Sequence, residues 1–71
     1  MSTDAPSPIL WQIDKRGVAA ITFNRPAVNN AYNGEFITGV LAAMDALATE
    51  SSLRVIVLRG AGKHFQAGAD L

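Results

Sequence analysis

The chemistry this sequence could carry is concentrated in one run, Arg59-Gly60-Ala61-Gly62-Lys63-His64-Phe65-Gln66-Ala67-Gly68-Ala69-Asp70-Leu71, where glycine and alanine leave the backbone open to a ligand. Two phosphate-binding readings fail there. A dinucleotide loop, G-x-G-x-x-G, would continue Gly60 and Gly62 with a glycine at 65, where Phe65 stands. A P-loop would follow Gly62-Lys63 with Ser or Thr, where His64 stands. What remains is Ala67-Gly68-Ala69-Asp70, a small-residue corner past the end of an expected strand, the place where open α/β sheets bind ligands. Short side chains leave backbone N–H groups bare. Two or more such donors aimed at one point make an oxyanion hole, which stabilises the charge that develops on a carbonyl oxygen. If Asp70 opens a helix, the positive end of the helix dipole adds to that field, while the carboxylate itself serves more naturally as an N-cap than as a proton carrier. His64 has no acidic partner in its own segment, so nothing marks it as an acid or base.

The elements that must position this corner can be read from periodicity. Residues 1–8, with Asp4 and two prolines, read as a flexible lead, and residues 9–71 as the folded part. From Ile9 the chain alternates, with Ile9, Trp11 and Ile13 on one face and Leu10, Gln12 and Asp14 on the other, the period of a half-buried strand. Asp14-Lys15-Arg16-Gly17 supplies a turn whose glycine can take positive φ, and residues 18–23 return as the second strand of an antiparallel hairpin. Asn24-Arg25-Pro26 ends that strand, since proline lacks the N–H a ladder needs. Residues 27–32 read as loop, and Asn33 as the N-cap of a helix with Glu35 in its first turn. Phe36, Ile37, Val40, Leu41, Met44, Leu47 and Ala48 fall along one apolar stripe of that helix. After a break at 49–52, the β-branched run at 53–58 lacks alternation beyond Arg54 and predicts a strand buried on both faces of a parallel sheet, so that strand, helix and strand form a right-handed crossover. The fold class is α/β.

Bulk composition narrows the function classes. The six basic residues among 71 are scattered and the net charge is zero, so no electrostatic footprint for a nucleic-acid backbone is present. Nor does any apolar run approach the roughly 20 residues of a membrane span. The first residues lack both a signal peptide's apolar core and a transit peptide's arginines, and with no cysteine in the chain a cytoplasmic location is expected. At 49% apolar and 17% charged the chain is too hydrophobic for intrinsic disorder. It is also short for a self-sufficient core, and with no cysteine and a single histidine, neither a disulfide nor a zinc site can make up the deficit. A covering partner is the expected missing element.

Taken in order, Asn24-Arg25-Pro26, Asn30-Ala31, the amphipathic helix, Val55-Ile56-Val57-Leu58, Gly60-Ala61-Gly62 and Phe65-Gln66-Ala67-Gly68-Ala69-Asp70-Leu71 resemble the opening of the enoyl-CoA hydratase/isomerase (crotonase) family over about residues 9–71. The resemblance implies a spiral of ββα units, of which only the first are present, and an acyl-CoA thioester as substrate with no separate cofactor or metal. It implies that Ala69 gives the first of two oxyanion-hole N–H groups, and that Ala31 and Ala67 offer carbonyls to the adenine end of coenzyme A. Gly68 would complete that binding stretch, and Asp70 and Leu71 would begin the acyl pocket. Two departures stand out. Ala27 occupies a position where a base commonly meets coenzyme A phosphates, and Gln66 one where small residues are usual.

The expected function is that of part of an enoyl-CoA hydratase, adding water to a 2-enoyl-CoA. Such hydration also needs positioned carboxylates, which in this family lie beyond the matching region. Glu35 and Glu50, at the two ends of the helix, are no substitutes, so the 71-residue chain alone is expected to be inactive. Its expected partners are the rest of the same polypeptide or a cleaved companion, and further copies in a homotrimer or hexamer. The alternatives are a non-catalytic ligand-binding or assembly module of the same fold, or a small α/β domain with no coenzyme A role.

Overall fold

The computed structural model describes residues 7–70. Strand β1 (Ile9–Ile13) and strand β2 (Val18–Phe23) form the expected antiparallel hairpin, with Ile9 opposite Phe23 and Ile13 opposite Ala19. Its turn is closed by Gly17, whose φ is +84° and whose N–H donates to the Asp14 carbonyl at 3.1 Å. The Asp14 carboxylate caps the same turn, accepting from the backbone N–H groups of Arg16 and Val18 and pairing with the Arg16 guanidinium.

After β2 the chain makes a short 3-10 turn at Pro26–Val28 and then passes through Asn29 and Asn30, both left-handed with φ of 56° and 61°. Helix α1 (Gly34–Ala48) follows. Asn33 caps it as expected, its side-chain oxygen accepting from the Phe36 N–H at 2.9 Å. Strand β3 (Val55–Gly60) then lies parallel to β2, giving a three-stranded sheet in the order β1-β2-β3 with α1 as the crossover between its parallel pair.

The register fixes which side chains share a face, because residues directly opposite across a ladder point the same way. Ile9, Phe23 and Gly60 form one row on the α1 side, Trp11, Ile21 and Leu58 the next, with Trp11 and Leu58 at its ends exposed, and Ile13, Ala19 and Ile56 the third. Against these rows α1 lays Phe36, Val40, Ala43 and Leu47, and the Phe23 and Phe36 rings meet at 4.9 Å. Burying such side chains at ~25 cal/mol per Å² of apolar area is what holds sheet and helix together.

Three expectations are corrected. The helix stripe is wider than the sheet it meets: Ile37, Leu41, Met44 and Ala48 lie along an exposed flank, and Ala43, absent from the expected stripe, is buried. Strand β3 is an edge strand rather than one covered on both faces. Val55, Val57 and Leu58 are 51%, 43% and 51% exposed and only Ile56 is packed against the core, because β2 pairs one edge while α1 packs mainly on β1 and β2. Of the expected lead at 1–8, residues 1–6 lie outside the described residues, while Ser7 and Pro8 are tied to the end of β2. There the Asn24 N–H donates to the Pro8 carbonyl at 2.8 Å and its side-chain amide to the Ser7 carbonyl at 3.0 Å. Among the described residues no helix is long and apolar enough to cross a membrane.

Candidate functional site

Beyond the C-terminal ends of β2 and β3, two loops fold onto each other, and one buried residue joins them. Asn30 is 0% exposed. Its side-chain oxygen accepts from the Arg25 N–H at 2.8 Å, and its amide donates to the Ala61 carbonyl at 2.9 Å and the His64 carbonyl at 2.6 Å. Every polar atom of the side chain is therefore engaged, which is the condition for burying an amide without penalty. Phe65 closes the junction from the apolar side, its ring 5.0 Å from that of Phe23.

The small-residue corner docks on the first loop as a single parallel bridge between Tyr32 and Ala69. The Tyr32 N–H donates to the Gly68 carbonyl at 2.9 Å and the Asp70 N–H to the Tyr32 carbonyl at 2.8 Å. In a parallel bridge the bonds on one side come from the residues flanking the bridged one, so the N–H and C=O of Ala69 point to the opposite side. Among the described residues the Ala69 N–H donates to no acceptor. Gly68, at φ +91°, makes the sharp change of direction that this geometry requires.

Arg25 spans the two loops. Its guanidinium donates to the Ala31 carbonyl and reaches the Asp70 carboxylate at 3.1 Å. The planar fork satisfies both at once from separate nitrogens, Nη1 toward Ala31 and Nη2 toward Asp70. Gln66 makes a further set of bonds: its side-chain oxygen accepts from the Gly68 N–H at 2.8 Å, while its amide donates to the Asn30 carbonyl at 3.0 Å and, more distantly, to the Gly68 carbonyl at 3.4 Å.

The expected site residues thus divide. Ala31, Ala67, Gly68, Ala69 and Asp70 lie on the two docked segments, with Ala31 buried and Ala67 and Ala69 exposed. Ala27 sits apart from them in the 3-10 turn, lining with Arg25 and Glu35 a cleft of about 440 Å³ beside the start of α1. Leu71 lies outside the described residues. His64 contributes only its backbone carbonyl. Among the described residues no group of three or more His, Cys, Asp or Glu side chains could hold a metal ion. Sequence reasoning did not assign the bonds of Asn30 and Gln66, and read Arg25 as a strand terminus held by hydrogen bonds, which Arg25 makes to Ala31 and Asp70. The one available signal was the Asn29-Asn30 pair, since asparagine tolerates left-handed backbone better than most residues.

Comparison with known proteins fits this arrangement. The family model for enoyl-CoA hydratase/isomerase matches residues 14–71. The chain is similar to the small ribosomal subunit protein mS47 of Schizosaccharomyces pombe, 34% identical over 99% of the chain and 16% of that protein. It is also similar to the 2,3-dehydroadipyl-CoA hydratase of Escherichia coli, 41% identical over 76% of the chain and 21% of that protein. The crystal structure of an enoyl-CoA hydratase from Mycobacterium marinum superposes with a TM-score of 0.85 at 41% identity, covering 90% of this chain and 32% of that one. The chain spans about a fifth or less of the length of these curated relatives, and its three strands and one helix correspond to a part of the crotonase fold. By the match over most of its length, the chain belongs to the enoyl-CoA hydratase/isomerase family.

Proposed function

We propose that this chain supplies the acyl-CoA-binding opening of an enoyl-CoA hydratase, and that the Ala69 N–H is one of the two donors that hold the thioester oxygen. The observation that carries the reading is the Tyr32–Ala69 bridge, in which Tyr32 pairs with the Gly68 carbonyl and the Asp70 N–H and the Ala69 N–H is left facing the other side. Hydration bonds a water oxygen to C3 of a 2-enoyl-CoA, pushes the double-bond electrons onto the thioester carbonyl as an enolate, and ends with a proton on C2. The charge appears on the carbonyl oxygen, so a fixed donor there lowers the barrier more than it tightens substrate binding. The general acid and base come from further polypeptide that completes the fold, because Glu35 and Glu50 sit at the two ends of α1.

At the other end of the ligand, the Ala31 and Ala67 carbonyls accept from the adenine amine. Arg25 already donates to the Ala31 carbonyl, and a carbonyl oxygen has two lone pairs, so one acceptor position is left. With Ala27 in place of a base, phosphate affinity must come from other parts of the protein.

Replacing Ala69 with proline deletes the donor while keeping a small residue. In the intact protein, crotonyl-CoA hydration by Ala69→Pro should fall roughly 10²–10³-fold in kcat, the usual cost of one oxyanion-hole donor, with KM changed far less. A folded Ala69→Pro protein that keeps most of its turnover would refute the assignment. A second reading, an assembly module that binds without catalysis, is supported by the similarity to the ribosomal protein mS47. Intact wild-type protein that binds acetyl-CoA without turning over any enoyl-CoA would favour it.

A further inference from the structure

The Gln66 side chain is half-buried and fully engaged in hydrogen bonds. The direction of its amide is fixed by its partners. The oxygen faces an N–H, that of Gly68, and the nitrogen faces carbonyls, those of Asn30 and Gly68. These bonds act on the one residue whose backbone is freest to turn. Gly68 has φ +91°, and without a side chain it can rotate the peptides on either side of it at little cost.

The peptide unit that follows Gly68 contains the Gly68 carbonyl and the Ala69 N–H, held coplanar and opposite by the resonance of the amide bond. Whatever fixes the carbonyl therefore fixes the N–H. Tyr32 grips the carbonyl at 2.9 Å. Gln66 grips the N–H of the preceding peptide at 2.8 Å and anchors itself at 3.0 Å to the carbonyl of Asn30, the buried residue that locks the two loops together. Gly68 is thus held from both sides, and the outward N–H is aimed from a braced peptide.

We propose that Gln66 is a positioning residue whose side-chain amide sets the direction of the Ala69 N–H toward a bound thioester oxygen. The inference rests on the acyl-CoA reading above. Its anchor is the backbone carbonyl of Asn30.

The test uses the intact protein and two readouts: the infrared carbonyl frequency of bound acetyl-CoA, which falls as hydrogen bonding to the oxygen strengthens, and crotonyl-CoA turnover. Gln66→Met keeps length and removes all three bonds. It should move the bound carbonyl back toward its frequency in free acetyl-CoA and lower kcat about ten- to a hundredfold, the scale of a displaced catalytic group, with KM within about threefold. Gln66→Asn should recover most of both, because asparagine accepts from the N–H two residues on in an Asx-turn. Should Gln66→Met not fold, Gln66→Ala is read in the same way. Unchanged carbonyl frequency and kcat in the Met or Ala variant would overturn the inference, as would a lowered melting temperature with no change in carbonyl frequency. If wild-type protein itself leaves the acetyl-CoA carbonyl unshifted, it is the acyl-CoA reading that falls, and this inference falls with it.

Discussion

Asp14 shows how single side chains here act through the backbone rather than through reactivity. Its carboxyl is held below its ordinary value of 3.8 chiefly by the Arg16 side chain, which outweighs an opposing desolvation, with the Val18 and Arg16 N–H groups each adding a smaller lowering effect. A carboxyl whose folded pKa is depressed stabilises the fold fully above its unfolded value and loses that contribution as pH falls through the folded one. Substituting Asp14→Asn should therefore lower the urea midpoint of the intact protein at about pH 7, and the gap from wild type should be smaller at about pH 2. An equal gap at both pH values would show that the turn depends on shape rather than charge. At the site the same scale explains what could be read in advance. The Ala67-Gly68-Ala69 run announces bare backbone by its composition alone, whereas Asn30 and Gln66 are ordinary amides until loops 31 to 36 residues apart bring their partners within reach. No local pattern encodes such a meeting.

Elements carry local signals that survive folding, and these were legible. The hairpin follows from alternation and a glycine turn, and α1 from its stripe and its cap. Asn33 accepts one of the four N–H groups that a helix start leaves unpaired, so Asn33→Ala should cost about 1 kcal/mol. Chemical denaturation of the intact protein would measure it, and a change below about 0.3 kcal/mol would mean that packing of Phe36 and Val40 holds the first turn unaided. Coverage, by contrast, is not a local property. A β-branched run such as Val55-Ile56-Val57-Leu58 states what environment the strand suits, and the same residues satisfy it only where neighbours exist on both sides. The helix misreading has the same origin: seven apolar positions fix a stripe wider than the sheet can cover, and Ile37, Leu41, Met44 and Ala48 stay exposed.

At the scale of the molecule, two apolar surfaces are left uncovered, the flank of Ile37, Leu41 and Met44 on α1 and the face and edge of β3 carrying Val55, Val57 and Leu58. A 71-residue chain already has a poor ratio of core to surface, and here the fully sequestered apolar core reduces to Ile9, Ala19, Ile21, Phe23, Phe36, Ala43 and Leu47. An edge strand with free N–H and C=O groups and no charge from Val55 to Leu58 also invites pairing with another chain. Conformational entropy of roughly 1–2 kcal/mol per ordered residue opposes so small a core, and a three-stranded sheet with one helix lies near the limit of independent stability. We therefore expect the isolated 71-residue chain to melt broadly, to associate as its concentration rises, and to show no hydration of crotonyl-CoA. Circular dichroism on heating, sedimentation at two concentrations and a crotonyl-CoA assay would check this together. A sharp two-state melt of a monomer would show that the sheet and helix suffice as they stand, and turnover above buffer would place a complete acid and base within these 71 residues, where Glu35, Glu50 and Asp70 would be the carboxylates left to examine.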